Sequence, residues 1–338
     1  MKQINFGKTG ESISELSLGT MLMGTTIDKK TSFNILDHYI DLGGNSIDTA
    51  NSYAWWIGKG EFVGGESEKL LGEWMKQKGN RNKIFLATKV GGLIKDPYHA
   101  WDADGNRRWG SIECESEGLS KGVIRKGLEN SLRHLKTDYI DLYYTHIYDH
   151  NTPIEETLET LNSLVKEGKV KHIGCSNLTT KELKEAREIS SKKGYVSYIA
   201  LQQEYSYLHP KKDADTGYIV HADKEMFDYV SDNPDITFFA YSPLLKGIYN
   251  SEEKRRNYYN WSLFNTEESK KKLEIVDKLS NELGITGNQL ILAWLRYKQP
   301  KISTLLGFSN VEQYMENIKS VDIILSNEQV AAINFLDQ

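Results

Sequence analysis

The chain has 338 residues, 39% of them hydrophobic and 11% aromatic, which is ample apolar material for one large core or two ordinary ones. Its net charge of −5 shows no excess of the basic residues that nucleic-acid binders concentrate in a stripe, and no apolar run approaches the roughly 20 residues of a membrane span. The opening Met1-Lys2-Gln3-Ile4-Asn5-Phe6-Gly7 lacks the apolar core of a signal peptide, and two cysteines, Cys114 and Cys175, leave room for one disulfide but not for a framework or a Cys-x-x-Cys metal site, so a soluble cytoplasmic protein is expected.

Gln3-Ile4-Asn5-Phe6 and Ser12-Ile13-Ser14, around Lys8-Thr9-Gly10, read as a hairpin that would plug one mouth of a barrel. Strand-like runs follow at 14–20, 46–50, 84–89, 138–146, 171–176, 198–204, 236–242 and 302–307. Between them fall helical patterns near 30–42, 67–78, 120–136, 154–167, 180–193, 222–232, 269–283 and 310–320, with further helices at 286–299 and 326–337. In 120–136 the apolar stripe is Ile124, Leu128, Leu132 and Leu135, with Ser120 placed as the cap. In 154–167 Thr152 is the cap candidate and Pro153 the first-turn residue, ahead of Leu158, Leu161 and Leu164.

This alternation fits a closed (β/α)₈ barrel and also an open doubly wound sheet. Even strand spacing and the lack of a Gly-x-Gly-x-x-Gly turn after the first strand favour the α/β (β/α)₈ TIM barrel, as one domain over residues 1–338 with an N-terminal β-hairpin and extra C-terminal helices. Three connections are long: 90–119, 205–221 and 243–268. All three follow strands, so in a barrel they lie on the C-terminal face where substrate pockets are built.

Four polar residues sit at or just past strand ends: Asp48, Tyr53, Lys89 and His146. Singly, each has a bland alternative: a loop cap, a rim aromatic, a solvated strand end and a core histidine. Together they can form a proton-transfer site. A phenol with a pKa near 10 is a weak acid at pH 7; an ammonium braced by a carboxylate stabilises its phenolate and is expected to lower that pKa. A neutral imidazole beside it can orient a carbonyl oxygen.

Gly44-Asn45-Ser46-Ile47-Asp48-Thr49-Ala50-Asn51-Ser52-Tyr53, Gly65-Glu66-Ser67-Glu68-Lys69-Leu70-Leu71-Gly72, Ala87-Thr88-Lys89 and Asp138-Tyr139-Ile140-Asp141-Leu142-Tyr143-Tyr144-Thr145-His146 stand in this order. With these segments the chain resembles the aldo-keto reductases along nearly its whole length. The resemblance implies a barrel that binds NADPH without a Rossmann turn. It also implies Asp48, Tyr53, Lys89 and His146 as the catalytic set and a small-molecule carbonyl substrate, reduced reversibly to an alcohol.

It further implies a cofactor site. Ser176, Asn177 and Gln202 would hold the carboxamide, and Tyr241 would stack on the nicotinamide. Thr20, Met21, Asp48, Ser242, Pro243, Leu244, Lys246 and Gly247 would line the dinucleotide, and the stretch from Gly307 through Ser309, Gln313, Glu316 and Asn317 would grip the adenosine end. Many members use Lys and Arg there for the 2′-phosphate, where this chain has Gly307 and Gln313. In this it is similar to the branch containing the potassium-channel β subunits and bacterial sugar and general aldo-keto reductases. Lys254-Arg255-Arg256 is the expected source of the missing charge, with NADP(H) favoured and NAD(H) as the alternative.

Trp55, Trp56, Trp101 and Trp109 are expected to wall the substrate pocket, with Phe62, Tyr258, Tyr259 and Trp261 as further loop aromatics. A second functional class is a regulatory, redox-sensing NADP-binding module that contacts a partner protein. A homo-oligomer is compatible with either.

Overall fold

The computed structural model describes residues 1–97, 100 and 116–335. A two-stranded antiparallel hairpin, β1 (Gln3–Asn5) and β2 (Ser12–Ser14), precedes eight parallel strands closed into a barrel. The barrel strands are β3 (Leu16–Gly19), β4 (Ser46–Asp48), β5 (Phe85–Val90), β6 (Ile140–Thr145), β7 (Val170–Ser176), β8 (Ala200–Glu204), β9 (Thr237–Tyr241) and β10 (Ile302–Leu306). They pair in chain order, and β10 returns to pair with β3. The closed topology confirms the barrel and discards the open sheet.

Alternation along each strand divides the side chains into two sets. Leu86 and Val90 of β5, Tyr143 of β6 and Leu201 of β8 point outward into the main core, against the helices. Phe85 and Ala87, Leu142 and Tyr144, Ala200 and Phe239 point inward and form a separate cluster with Phe6 and Ile13 of the hairpin. Phe6 is fully buried, its ring edge-on to Phe85 at 4.8 Å and to Phe239 at 6.3 Å. The hairpin therefore plugs the N-terminal mouth, as expected. Inside, Tyr144 needs the space beside Gly174, where a Cβ would stand 2.6 Å from its ring.

Eight helices cover the strands in the expected positions: α1 (Lys29–Asp41), α2 (Glu66–Lys78), α3 (Lys121–Leu135), α4 (Ile154–Lys166), α5 (Thr180–Lys193), α6 (Lys224–Asp232), then α9 (Glu267–Leu283) and α10 (Gly287–Leu295). The short α7 (Glu252–Asn257) and α8 (Trp261–Phe264) lie in the long connection after β9, where sequence showed only loop. Helices α11 (Val311–Ile318) and α12 (Asn327–Asn334) follow the last strand.

Ile124, Leu128 and Leu135 are buried on α3 and Leu158, Leu161 and Leu164 on α4, as the predicted stripes have them, while Leu132 is only partly buried against the core. The caps differ in detail. Ser120 is the N-cap of α3 but its side chain makes no capping bond. On α4 the cap position is Pro153, not Thr152, because the Thr152 hydroxyl donates to the Asp149 carboxylate at 2.7 Å. Among the described residues no helix is long and apolar enough to cross a membrane. Cys175 is buried with a free thiol, and Cys114 lies outside the described residues.

Candidate active site

The inner-face parity that fills the barrel also delivers the polar set to its C-terminal mouth. Lys89 continues the inner series Phe85, Ala87, and His146 follows Leu142, Tyr144 just past the end of β6. Gln202 continues from Ala200, and Tyr241 from Phe239. In register, Asp48 faces Ala87, Lys89 faces Tyr144 and Ser176 faces Gln202. Tyr53 arrives from the loop after β4 rather than from a strand.

Lys89 is fully buried and Asp48 is 3% exposed, so Lys89 is no solvated strand end. Its ammonium has three N–H donors and three acceptors: an Asp48 carboxylate oxygen, the Thr49 carbonyl at 2.8 Å and the Tyr53 hydroxyl at 3.1 Å. The other Asp48 oxygen accepts from the Gln202 amide at 2.9 Å. Asp48 thus holds the ammonium from behind, as expected. The pairing keeps Lys89 above the ordinary lysine range against burial, which by itself would lower it.

The Tyr53 phenol is shifted upward from its ordinary value of 10.0, by burial first, while the Lys89 charge draws it back only in part. The expectation that the ammonium leaves the phenol below its ordinary value is therefore corrected: in this buried site desolvation of the phenolate outweighs the attraction. The His146 ring lies edge-on to Tyr53, with centroids 5.8 Å apart. Burial and the nearby Lys89 charge push its pKa down to about 3, so the imidazole is neutral at pH 7. Ser52 Oγ lies 3.4 Å from its Nδ1.

Ser176 and Asn177 lie on the same mouth. Asn177 adopts a left-handed φ of 57°. Its side-chain N–H groups donate to the His146 carbonyl at 3.0 Å and to Ser176 Oγ at 3.2 Å. Its Oδ1 accepts from the Tyr241 hydroxyl at 2.7 Å and from Val220 N–H at 3.3 Å. The structure therefore brings together Asp48, Tyr53, Lys89, His146, Ser176, Asn177, Gln202 and Tyr241.

Thr20 is fully buried and bonds to the Asp48 carbonyl and Ser67, and Met21 follows it in a turn. Ser242, Pro243, Leu244, Lys246 and Gly247 form the turn after β9, with Ser242 and Lys246 at φ 51° and 64°.

The adenosine-end candidates cluster on α11. Its N-cap, Asn310, accepts from Gln313 N–H, and Gln313 accepts from Ser309 N–H, both at 2.9 Å. Glu316 accepts from Thr286 and Asn250, each at 2.8 Å. Asn317 is buried, and its Oδ1 has no hydrogen-bond partner among the described residues. Gly307 precedes this cluster. Arg255 is held by the Ile248 carbonyl at 3.0 Å and Asp277 at 3.3 Å, whereas Lys254 is exposed.

Trp55 is buried and edge-on to Trp56 at 5.9 Å, and Trp56 is edge-on to Tyr53 at 6.0 Å. Trp101 and Trp109 lie outside the described residues. Trp261 packs against the main core, and Tyr259 is 76% exposed.

Three residues near the mouth were not singled out from sequence. Gln203 is fully buried, accepts Asn177 N–H at 2.6 Å and donates to the Leu178 carbonyl, fixing the backbone of Asn177. Its place beside Gln202 on the strand read at 198–204 was the available signal. Glu204 pairs with His221 at 2.9 Å.

Residues 15–338 match the aldo/keto reductase family. The chain belongs to that family. It is 32% identical to an uncharacterized oxidoreductase, YrpG, of Bacillus subtilis, across 99% of this chain and 95% of the relative. It is 27% identical to an aryl-alcohol dehydrogenase [NADP(+)] of Phanerodontia chrysosporium, across 96% and 83%. The crystal structure of the thermostable aldo-keto reductase Tm1743 superposes with a TM-score of 0.71 at 26% identity, covering 99% of this chain and 100% of that one. As a member of this family, the protein is an NAD(P)H-dependent oxidoreductase acting on carbonyl and alcohol groups.

Proposed function

We propose that this aldo-keto reductase reduces aldehydes or ketones with NADPH, Tyr53 giving the proton to the carbonyl oxygen. The observation that carries this reading is the buried chain Gln202–Asp48–Lys89–Tyr53, in which every ammonium donor is spent and one points at the phenol.

The residues present suit the cofactor. Asn317 offers a buried amide oxygen with no partner among the described residues, on the helix that also carries the Gln313 amide and the Glu316 carboxylate. Ser309, Gln313, Glu316 and Asn317 would hold that end, with Lys254 supplying charge to the 2′-phosphate. Ser176, Asn177 and Gln202 would hold the carboxamide, and Tyr241 would carry the ring. When bound, the nicotinamide supplies the hydride.

The chain's own residues do the rest. Tyr53 is protonated at neutral pH, as a phenol with an ordinary value of 10.0 already is, and burial keeps it so, leaving a proton to donate. Lys89 stabilises the phenolate left behind, and Asp48 keeps Lys89 charged and aimed. In the tautomer whose Nδ1 accepts from Ser52, the neutral His146 would present an Nε2–H to orient the substrate oxygen. Trp55 and Trp56 bound the site near Tyr53 and favour a substrate with an apolar or aromatic body.

The test is a purified Tyr53→Phe protein, assayed by NADPH absorbance against an aromatic aldehyde, with NADPH affinity measured by fluorescence. Expected is loss of turnover with cofactor affinity retained. Turnover at the wild-type rate would remove Tyr53 as the acid. A module that only binds cofactor would give at most one turnover in the wild-type protein, which the same assay detects.

A further inference from the structure

We infer that Glu117 is a positioning residue for the reaction: its carboxylate ties the loop that carries Tyr53 to the backbone just after Lys89, where β5 ends. This rests on the proposed roles of those two residues. Glu117 lies at the return of the long connection after β5, in a segment that is neither helix nor strand. One carboxylate oxygen accepts two N–H groups, from the Asn51 side chain at 2.8 Å and from Gly91 at 2.9 Å. Asn51 stands two residues before Tyr53, and Gly91 two residues after Lys89. A single atom therefore bridges the two loops at the catalytic pair.

The surrounding bonds make the bridge rigid. Glu117 N–H donates to the Leu93 carbonyl at 2.7 Å, and Ser116 forms an antiparallel bridge with Ile94. Leu119 N–H donates to Asp149 at 2.7 Å, in the loop that follows His146. The 116–119 segment thus engages the loops after β4, β5 and β6: the first carries Tyr53, the second leaves β5 just past Lys89, and the third begins at His146. On the β4 side, Asn51 N–H also donates to the Lys89 carbonyl at 3.2 Å, so the side-chain bond to Glu117 gives the Asn51 turn a second anchor. Ser52, the next residue, then faces His146. Burying a carboxylate costs free energy unless it is compensated: burial raises the Glu117 carboxyl above its ordinary range, and the bonds from Asn51, Gly91 and Leu93 offset that in part. None of these bonds touches the substrate. Their effect is on where the phenol stands relative to the ammonium and the imidazole, and about 1 Å of misplacement is enough to cost a rate factor of about 100.

The experiment compares Glu117→Ala, Glu117→Gln and Asn51→Ala with wild type and with Tyr53→Phe. For each, kcat, KM for an aromatic aldehyde, NADPH affinity and melting temperature are measured. Glu117→Gln keeps a carbonyl oxygen that accepts both N–H groups and is expected to stay within about three-fold of the wild-type kcat. Glu117→Ala is expected to lose roughly ten- to hundred-fold in kcat with NADPH affinity unchanged. Asn51→Ala removes one of the two donors and is expected to fall in the same direction, and it carries the test if Glu117→Ala does not fold. Wild-type kcat in Glu117→Ala or Asn51→Ala, or equal losses in Glu117→Gln and Glu117→Ala, would overturn the inference. Full turnover in Tyr53→Phe would instead overturn the reading on which it rests, so the two failures are distinguishable.

Discussion

Replacing Lys89 by Met keeps the length of the side chain and removes its charge. The structure then leaves Asp48 with one partner, the Gln202 amide at 2.9 Å, in a site where the residue is 3% exposed. Removing one member of a buried ion pair costs about 3–5 kcal/mol, because the other charge stays desolvated and uncompensated. That is a large share of the roughly 5–15 kcal/mol that holds a domain together. The Thr49 carbonyl and the Tyr53 hydroxyl each lose a donor as well. Adding Asp48→Asn removes the stranded charge and should recover at least half of the lost stability, while turnover stays about 10²–10⁴-fold down because the phenolate still lacks its ammonium. Urea unfolding followed by tryptophan fluorescence gives the stability of each variant from its midpoint at constant slope, and NADPH absorbance gives the rate. A loss below about 1 kcal/mol in Lys89→Met, or a double variant no more stable than the single, would refute the claim that this pair is buried and mutually compensating.

Phe6→Ala empties the plug of the N-terminal mouth and should cost about 3–5 kcal/mol in chemical denaturation, with kcat unchanged because the site lies at the other end. His146 has a pKa of about 3 in the fold against an ordinary 6.5, so the folded state binds fewer protons than the unfolded chain between those values. Stability should therefore be fully present above about pH 6.5 and decline as pH falls towards 3, by at most about 1.4 kcal/mol per pH unit; His146→Asn should flatten that part of a pH–stability curve. Because Tyr53 is raised above its ordinary 10.0, kcat for reduction should show no loss of the acid between about pH 6 and 9 and should fall only in more alkaline solution. A descending limb centred near neutrality would contradict this assignment.

The barrel and the convergence of the four candidate residues at its mouth were legible because both follow from one property of the chain. Apolar runs that end in Lys89 and His146 mark inner-face positions, and closure of eight such strands forces their ends to converge. Glu117 was not legible, since it lies in a long connection without periodicity and its partners come from two other loops. The two short helices after β9 escaped for a related reason: six and four residues are too few to show a helical repeat. Thr152 looked like a cap because its type and position were right, but Asp149 competes for its hydroxyl. The direction of the Tyr53 shift was misjudged because a sequence shows the neighbouring charge and not the depth at which both groups are buried.

Asn177 shows how closely the proposed cofactor contacts and the catalytic set are joined. Its backbone N–H is taken by Gln203, its side-chain N–H groups by the His146 carbonyl and Ser176, and its Oδ1 by Tyr241 and Val220. Its backbone N–H and all of its side-chain polar groups are therefore engaged within the protein. An amide ligand at this position must exchange with bonds already made, and each such exchange is worth only about 1 kcal/mol net. Affinity for a large dinucleotide then has to come mainly from elsewhere, from the ring-stacking surface and the α11 end. Tying Asn177 to the His146 carbonyl also means that its side chain helps fix the strand end that presents the imidazole. A substitution at Asn177 therefore acts on ligand contact and on catalytic geometry at once, and its effects on KM and kcat do not separate into one role each.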